Sequence, residues 1–393
     1  MSSDPVVIVG MARTPMGAFQ GAFSALAAPD LGAAAIKGAL EDGGIKSESI
    51  EQSFIGCVLP AGQGQAPARQ ATLKAGLNEA CETITINKVC GSGMMAAMMA
   101  HDSIKAGSSN IAVAGGMESM TNSPYLLPKA RGGMRIGEQK VVDSMMYDGL
   151  TNPYDDQAMG VFADMIAAEY QFTREQQDAY AIESVNRAKA AQKDGKFDRE
   201  LTSVTIKGRK GDTVVTEDEG PGKAMPEKIP NLRPVFTKDG TGTAANASSI
   251  NDGAAAIVMM KKSDAEKGGH TILAEVVSHA AHAHAPAYFT TAPVDAVKKA
   301  LKKADWDAKD VDLWEINEAF AVVPMIAMQE LGLDHGIVNV NGGACVLGHP
   351  IGASGTRIIT TLIAEMEKRD VKKGVATLCI GGGEATAMCL QRG

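Results

Sequence analysis

The chain has 393 residues, 45% of them hydrophobic and 21% charged, so it is long enough for roughly two or three folded domains and differs from a disordered chain. Its formal net charge is −8, without the basic excess typical of nucleic-acid-binding proteins, and no apolar run approaches the roughly 18 residues of a membrane span. We therefore expect neither nucleic acid nor a membrane as a partner. The first residues lack the basic segment of a signal peptide and the six cysteines include no CxxC pair. We expect a cytoplasmic protein without a zinc ribbon or a disulfide framework.

Strands and helices alternate through the first part of the chain. The apolar run at 6–9 predicts a buried strand, and an apolar stripe over 30–42, which Asp30 can cap, predicts a helix. Further strands are predicted at 54–55, 83–86 and 111–114, and an apolar helix at 93–106. This alternation is typical of an α/β fold whose sheet is covered on both faces.

The stretch from 120 to 248 interrupts the pattern. It is rich in proline and glycine and contains one strongly charged helical piece near 173–194. We predict a long excursion from the first α/β unit, because long loops of this kind usually serve as lids or oligomer contacts. Regular α/β character resumes at 251–260.

The second half of the chain repeats the first. Residues 35–56 align without a gap on 296–317, with identical residues at five positions. A Gly-rich turn, a helix and a strand that ends in glycines follow in each half, first over 91–116 and again over 352–383. The repeat predicts two similar α/β halves packed together, with a site in the cleft between them.

Cys90 lies between a predicted strand and a predicted helix, in the sequence Val-Cys-Gly-Ser-Gly. The positive end of a helix favours the thiolate form of a cysteine, which suits a nucleophile. Gly91 and Gly93 are predicted to leave room for an incoming ligand. The alternative is a buried structural cysteine, as most free cysteines are.

Three further segments contain candidate functional residues. His349 is surrounded by glycines over 341–355, which fits a backbone approaching a ligand, although it can equally be a core histidine. Cys379 opens a loop of three glycines, where N–H groups can form an anion-binding nest; the alternative is a small apolar residue at a strand end. Asn317 and Glu318 follow a predicted strand, where the asparagine can cap a helix or, with Glu318, orient a water or a histidine.

Other signals are weaker. The relaxed dinucleotide-binding pattern occurs at both 91–96 and 240–245, which shows how unspecific it is in a Gly-rich chain. His279, His282 and His284 do not have the spacing of a known metal motif, and we expect no metal. The methionine run at 94–99 has helical spacing and is predicted to lie in the core.

Together these segments resemble the thiolase family over essentially the whole chain. Four motifs occur in the family's order, around Cys90, at 317–320, at 348–355 and at 379–383. The resemblance implies a duplicated five-layer α/β/α/β/α fold with an inserted loop domain, and a homotetramer built as a dimer of dimers. We therefore expect three parts. Residues 1–119 and 249–270 form the N-terminal half, residues 120–248 form a loop domain for tetramerisation and CoA binding, and residues 271–393 form the C-terminal half.

The resemblance also implies the chemistry. Cys90 is the acyl nucleophile of an acyl-enzyme intermediate, His349 activates it, and Cys379 is the general acid and base. One oxyanion hole consists of His349 and a water held by Asn317; another consists of the backbone N–H groups of Cys90 and Gly381. The substrates are acetyl-CoA, acyl-CoA and CoA, with a role in fatty acid metabolism and no metal or redox cofactor.

Departures from the family pattern affect substrate contacts. Ala158 stands where many biosynthetic thiolases have histidine, and Glu384 stands near Cys379, whose pKa it is predicted to raise. By resemblance Ser248 contacts the pantetheine and Lys223 lies near the CoA nucleotide. The remaining predicted substrate contacts are Met159, Ala247, Phe289 and Phe320.

We thus expect a CoA-dependent C-acyltransferase that condenses acetyl-CoA or cleaves 3-ketoacyl-CoA reversibly. A degradative thiolase for longer or branched acyl groups is the main alternative. An NAD(P)-dependent oxidoreductase and a non-catalytic acyl-CoA binder are further alternatives.

Overall fold

A computed structural model describes residues 4–393. Within that range the strands are β1 Val6–Arg13, β2 Gly17–Ala18, β3 Gln52–Gly56, β4 Glu82–Ile86, β5 Ile111–Ser119, β6 Tyr125–Leu126, β7 Val142–Asp143, β8 Val204–Ile206, β9 Thr213–Val215, β10 Asn251–Lys261, β11 Ala274–Ala283, β12 Leu313–Ile316, β13 Lys373–Ile380 and β14 Glu384–Gln391. The α-helices are α1 Ala28–Gly43, α2 Pro67–Lys74, α3 Ser92–Ala106, α4 Met159–Glu169, α5 Arg174–Lys193, α6 Glu219–Lys223, α7 Lys262–Gly268, α8 Ala292–Ala304, α9 Val322–Leu331, α10 Ala344–Leu347 and α11 Ser354–Arg369. In residues 4–393 no helix is both long and apolar enough to cross a membrane.

Two sheets of the same topology confirm the predicted duplication. The first has the order β4-β3-β5-β10-β1, with parallel pairing up to β5 and antiparallel pairing beyond it. The second has the order β12-β13-β14-β11 with the same change of direction, and Val338 pairs in parallel with Trp314 where β4 lies in the first sheet. The sheets join where β1 and β11 pair antiparallel, at Val7 and Ile8.

Helices complete the five layers that the resemblance implied. Helices α3 and α11 pack on each other and between the sheets, α1 and α2 cover the outer face of the first sheet, and α8 and α9 cover that of the second. Met94, Met98, Ile358 and Leu362 are buried in the central layer, so the methionine run is core, as predicted. Burying apolar side chains between the sheets stabilises the two halves as one unit.

The excursion between β5 and β10 contains short strands, a π-helical turn at Met145–Leu150 and helices α4 to α6. Its charged helix begins at a capping box of Thr173 and Gln176, which satisfies free N–H groups of the first turn. The fully buried side chain of Arg13 on β1 connects the first sheet to the excursion. Its guanidinium nitrogens lie 2.6 Å from a carboxylate oxygen of Glu200 and 2.7 Å from one of Asp218. The domain boundaries drawn from the sequence stay a prediction.

Candidate active site

The turn that carries Cys90 lies between β4 and α3. The hydroxyl of Ser92 accepts from the N–H of Lys88 at 2.8 Å and donates to the carbonyl of Val89 at 2.6 Å, which closes the turn. Val89 has a φ of 45°, in the left-handed region that β-branched residues rarely adopt. Such backbone costs on the order of 1–3 kcal/mol and clusters at functional sites, so the turn holds Cys90 in a strained, fixed position.

The loop after β13 lies against this turn. Burial raises the pKa of the Cys90 thiol to about 11, although the backbone N–H groups of Gly381 and of Cys90 itself donate to the sulfur and oppose this effect. Burial, and then the neighbouring Cys90, raise the pKa of Cys379 well above its usual value. The expectation that the helix end favours a Cys90 thiolate is therefore outweighed by burial, and both thiols are protonated at neutral pH in the free protein.

His349 lies in the loop before α11, beside Asn317 at the end of β12. Its Nδ1 is 2.5 Å from Ser354 Oγ and 3.5 Å from Asn317 Nδ2. Because the Ser354 hydroxyl donates to the carbonyl of Pro350 at 3.0 Å, its oxygen accepts the Nδ1 proton and Nε2 keeps its lone pair. Burial, and then the charge of Arg357, lower the pKa of His349 to about 3. The ring is therefore a neutral base.

Two buried polar atoms of this site have no hydrogen-bond partner among residues 4–393, namely His349 Nε2 and Asn317 Oδ1. Buried polar atoms are nearly always paired, and each exception calls for an explanation. A lone pair on a neutral imidazole can take a thiol proton, and an amide oxygen can hold a water or a substrate donor. The loop of His349 reaches the Cys90 turn, because Ile351, Val89 and Cys90 share one apolar cluster.

Two cavities approach this site. One, of about 600 Å³, is lined by Val89, Met159, Tyr147 and the glycines 381 and 382. The other, of about 700 Å³, is lined by Lys223, Lys228, Ser249 and apolar residues of the excursion. The first places Met159 at the loop of Gly381, and the second places Lys223 at a separate opening, where it also pairs with Glu219 at 2.8 Å.

The other predicted substrate contacts form a single cluster. Ala247 pairs with Phe320 in an isolated bridge, and the N–H of Ser248 donates to the carbonyl of Ala319 at 2.9 Å. The ring of Phe320 meets that of Phe289 edge to face, with centroids 6.0 Å apart. The structure therefore brings these four together beside the segment that carries Asn317.

Comparisons with known proteins identify the family. Residues 6–263 match the family model of the thiolase N-terminal domain, and residues 270–392 match that of the thiolase C-terminal domain. The chain belongs to the thiolase family. An acetyl-CoA acetyltransferase of Cupriavidus necator is 50% identical over 98% of this chain and 99% of its own, and one of Allochromatium vinosum is 47% identical over 99% and 100%. A crystal structure of a thiolase from Ascaris suum in complex with coenzyme A matches with a TM-score of 0.93 at 42% identity, over 99% of this chain and 100% of that one.

Close packing requires a glycine at three positions of this thiolase, a role that the sequence interpretation did not include. A Cβ on Gly91 would lie 2.2 Å from a side-chain carbon of Ile380, and one on Gly93 would lie 2.9 Å from the N of Thr356. A Cβ on Gly355 would lie 2.3 Å from the N of Met94. Gly93 and Gly355 let backbones of the two halves touch, and Gly91 makes room for the Ile380 side chain, whereas a Cβ on Gly381 meets nothing closer than 3.6 Å and one on Gly382 nothing within 4 Å.

The prediction that Glu384 raises the pKa of Cys379 is wrong. Glu384 forms an ion pair with Lys88, and it is Ala385 that stands opposite Cys379 in the sheet register. The raised pKa of Cys379 comes from burial and from Cys90. Glu384 therefore links the two loops of the thiolase site instead of acting on the thiol.

Two buried carboxylates shape the thiolase loops; sequence reasoning missed Glu118 and expected another role for Glu318. Glu118, at the end of β5, accepts from the N–H groups of Val58, Leu59 and Gly352 at 2.8–3.1 Å, and burial raises its pKa to about 7. Glu318 accepts from Tyr180, Ser184, Asn339 and the N–H of Cys345, so it anchors the excursion and does not orient the histidine. A single acid after a strand gives no recognisable sequence pattern; only Glu318, beside Asn317, was a candidate.

The three histidines 279, 282 and 284 do not form one cluster. His279 lies with His101 and Asp102, whereas His282 and His284 lie with Asp295. Side chains alternate between the two faces of a strand, so His279 and His282 on β11 point to opposite faces. The three histidines therefore do not converge on one point.

Proposed function

We propose that the chain is an acetyl-CoA C-acetyltransferase, which condenses two molecules of acetyl-CoA and cleaves acetoacetyl-CoA in reverse. The observation that carries the proposal is the pairing of two protonated thiols, Cys90 and Cys379, with a neutral histidine whose Nε2 has no partner in the described residues. Membership of the thiolase family, and relatives named acetyl-CoA acetyltransferase over nearly the whole chain, support it.

In the first half-reaction Cys90 becomes acetylated. His349 Nε2 takes the thiol proton as the sulfur attacks the thioester carbonyl, and the proton then passes to the departing CoA sulfur. The N–H groups of Cys90 and Gly381, which already converge on the sulfur, stabilise the tetrahedral oxyanion. Because one thioester replaces another, the step is nearly balanced in energy.

In the second half-reaction a new carbon–carbon bond forms. The thiol proton of Cys379 passes to His349 Nε2, and the resulting thiolate takes a proton from the methyl group of a second acetyl-CoA, whose enolate oxygen accepts from the protonated His349 and from a water on Asn317. The enolate carbon attacks the acetyl group on Cys90, the Cys90 sulfur leaves with the proton from Cys379, and His349 returns its proton to Cys379. The raised pKa of Cys379 makes its thiolate a strong base once it forms.

The CoA part of the substrate is assigned to the cavity of Lys223 and Lys228. Two ammonium groups at an opening supply the local positive charge that an acidic protein needs to bind the phosphates of CoA. Ser248 is assigned to the pantetheine, and Met159, Ala247, Phe289 and Phe320 to the acyl end. No further cofactor is assigned.

We also propose a homotetramer in the cytoplasm, acting in fatty acid metabolism. Strand β4 ends the first sheet and its Ile84 is 45% exposed, which offers an edge for pairing with a second copy. The excursion exposes apolar side chains at Tyr125, Ile136 and Val141, which support a second contact. Light scattering coupled to size-exclusion chromatography tests this, and a monomer would contradict it.

Radiolabelled acetyl-CoA separates the two half-reactions. Cys90→Ser should lose rapid acetyl labelling, whereas Cys379→Ala should retain labelling and lose most condensation, since a general base contributes about 100-fold or more. Undiminished labelling of Cys90→Ser would contradict the nucleophile assignment. Equal loss of both half-reactions in Cys379→Ala would contradict the division of roles.

A thiolase for longer or branched acyl groups is a second candidate. The cavity beside Gly381 and Met159 extends to Tyr147 and has a volume of about 600 Å³, which is room beyond an acetyl group. Thiolysis rates across a series of 3-ketoacyl-CoA chain lengths decide between the two. A maximum at the four-carbon substrate supports the acetyltransferase, and a maximum at longer chains supports the second candidate.

A further inference from the structure

Three side chains with metal-binding atoms meet between α3 and β11. His101 Nδ1 lies 2.9 Å from Asp102 Oδ1, His279 Nε2 lies 3.0 Å from the same oxygen, and the two ring nitrogens are 3.1 Å apart. The rings cross edge to face, with centroids 4.8 Å apart. All three atoms therefore point into one small triangle.

Hydrogen bonding alone does not explain this triangle well. If both rings donate to Asp102 Oδ1, their two N–H groups face each other at 3.1 Å; if one ring donates to the other, the accepting nitrogen cannot also donate to the carboxylate. Three donor atoms bound about 2.1 Å from one ion lie about 3.0 Å apart in octahedral coordination, where they stand at right angles, and about 3.4 Å apart in tetrahedral coordination. The observed separations of 2.9–3.1 Å match the octahedral spacing on every side.

The surroundings suit an ion. The His101 and His279 side chains are each 12% exposed, whereas Asp102 is 65% exposed, so the rings are held in place and the carboxylate gives access to solvent. Water can fill the remaining coordination positions from the side of Asp102.

The cluster lies away from the proposed reaction centre. His101 is nine residues beyond the first residue of α3, or about 13 Å along the helix axis, and the helix starts beside Cys90. It also links the two halves, because α3 belongs to the first and β11 to the second. An ion here would hold a helix of one half against a strand of the other.

The neighbouring histidines provide a contrast. His282 Nδ1 accepts from Lys299 at 2.9 Å, which leaves its other nitrogen facing Asp295 at 3.3 Å. His284 Nε2 donates to the carbonyl of Tyr288 at 2.8 Å. His282 Nε2 has no hydrogen-bond partner among the described residues, but the ammonium group of Lys299 beside this ring competes with a cation, so this second cluster serves as an internal control.

We propose that His101, Asp102 and His279 form a binding site for a divalent first-row transition-metal ion of the Zn²⁺ class, which clamps α3 to β11. Two imidazoles and one carboxylate favour such ions over Ca²⁺ or Mg²⁺, which prefer oxygen ligands. The site is separate from the acyl-transfer chemistry, so its ion has a structural role.

The test uses the full-length, untagged protein after treatment with a chelator. Equilibrium dialysis with Zn²⁺ alone should give one ion per chain, and saturating Zn²⁺ should raise the melting temperature. In His279→Asn the dissociation constant should rise more than about 10-fold, while the control His282→Asn should bind as the wild type does. Co²⁺ should give a visible absorption band that His279→Asn lacks.

Asp102→Asn provides an independent variant, because the exposed position tolerates the change whatever His279→Asn does to folding. Its dissociation constant for Zn²⁺ should also rise. Less than a tenth of an equivalent of Zn²⁺ on the wild type, or equal weakening by His279→Asn and His282→Asn, would overturn the proposal. Wild-type affinity in Asp102→Asn would overturn the three-ligand site.

Discussion

One methyl group between the two halves should disable the enzyme without touching substrate. Gly355 lies on α11, six residues after His349, and a Cβ there would lie 2.3 Å from the backbone N of Met94 on α3, four residues after Cys90. Ordinary contact begins near 3.5 Å, so Gly355→Ala must push the two helices apart by about 1 Å. The obstacle is backbone, and no rotamer change can relieve it.

The expected effects follow from this displacement. Overpacking a close contact costs about 1–3 kcal/mol of stability, and moving reacting groups by about 1 Å can cost about 100-fold in rate. We expect Gly355→Ala to lower the melting temperature and to slow acetyl labelling of Cys90 about 100-fold, because the proposed nucleophile lies just before α3 and its base just before α11. Gly132→Ala is the matched control, since a Cβ at that position meets nothing within 4 Å.

Thermal unfolding and single-turnover labelling should be measured on the same samples. If Gly355→Ala unfolds and labels like the wild type, the argument from close packing is refuted. If it unfolds like the wild type but no longer binds CoA, the glycine serves ligand approach after all, as the sequence suggested.

Three further predictions concern groups around the site and the core. Ser354→Ala removes the hydroxyl 2.5 Å from His349 Nδ1 and should lower kcat about 10-fold with little change in KM; steady-state thiolysis rates that match the wild type would exclude this orienting role. Asp218→Asn leaves the buried Arg13 poorly matched and should reduce the free energy of unfolding in urea by about 3–5 kcal/mol, whereas Asp212→Asn at the exposed pair with Lys207 should change it by less than about 0.5 kcal/mol. The pKa of His349 falls from 6.5 to about 3 on folding, so the unfolded chain binds more protons between those values and stability falls as pH drops through that window. Between pH 7.5 and pH 5 the free energy of unfolding of His349→Asn should therefore fall by about 2 kcal/mol less than that of the wild type. Equal decreases in the two proteins, measured by urea unfolding, would contradict the lowered pKa of His349.

The sequence predicts the fold well because the signals are local and repeated. The strand at 6–9 and the helix at 30–42 are found as β1 and α1, since apolar periodicity is what their burial requires. The second copy of the pattern predicts the second sheet. The site residues follow from the same logic, because ends of strands and starts of helices meet in the cleft of an α/β fold.

What the sequence does not reveal depends on partners distant in the chain. The sequence shows that residue 355 is glycine, but it does not show whether a ligand or the backbone of Met94 lies beside Gly355. Glu118 finds its N–H donors at Val58 and Gly352, 60 residues before it and 234 after it, and no local pattern records that. His279 meets His101 across 178 residues, and the spacing of the nearby histidines gives no sign of that contact.

The pairing of β1 with β11 has a consequence for how a single reaction centre arises. These strands hold equivalent places in the two sheets and pair antiparallel, which relates the halves by an approximate twofold axis. In a symmetric dimer of two identical chains, every residue near the twofold axis would occur twice, once in each chain. Within one chain each copy can specialise: the end of β13 supplies the thiol Cys379, while the matching end of β5 supplies Glu118, which holds backbone N–H groups. One asymmetric centre replaces two identical ones.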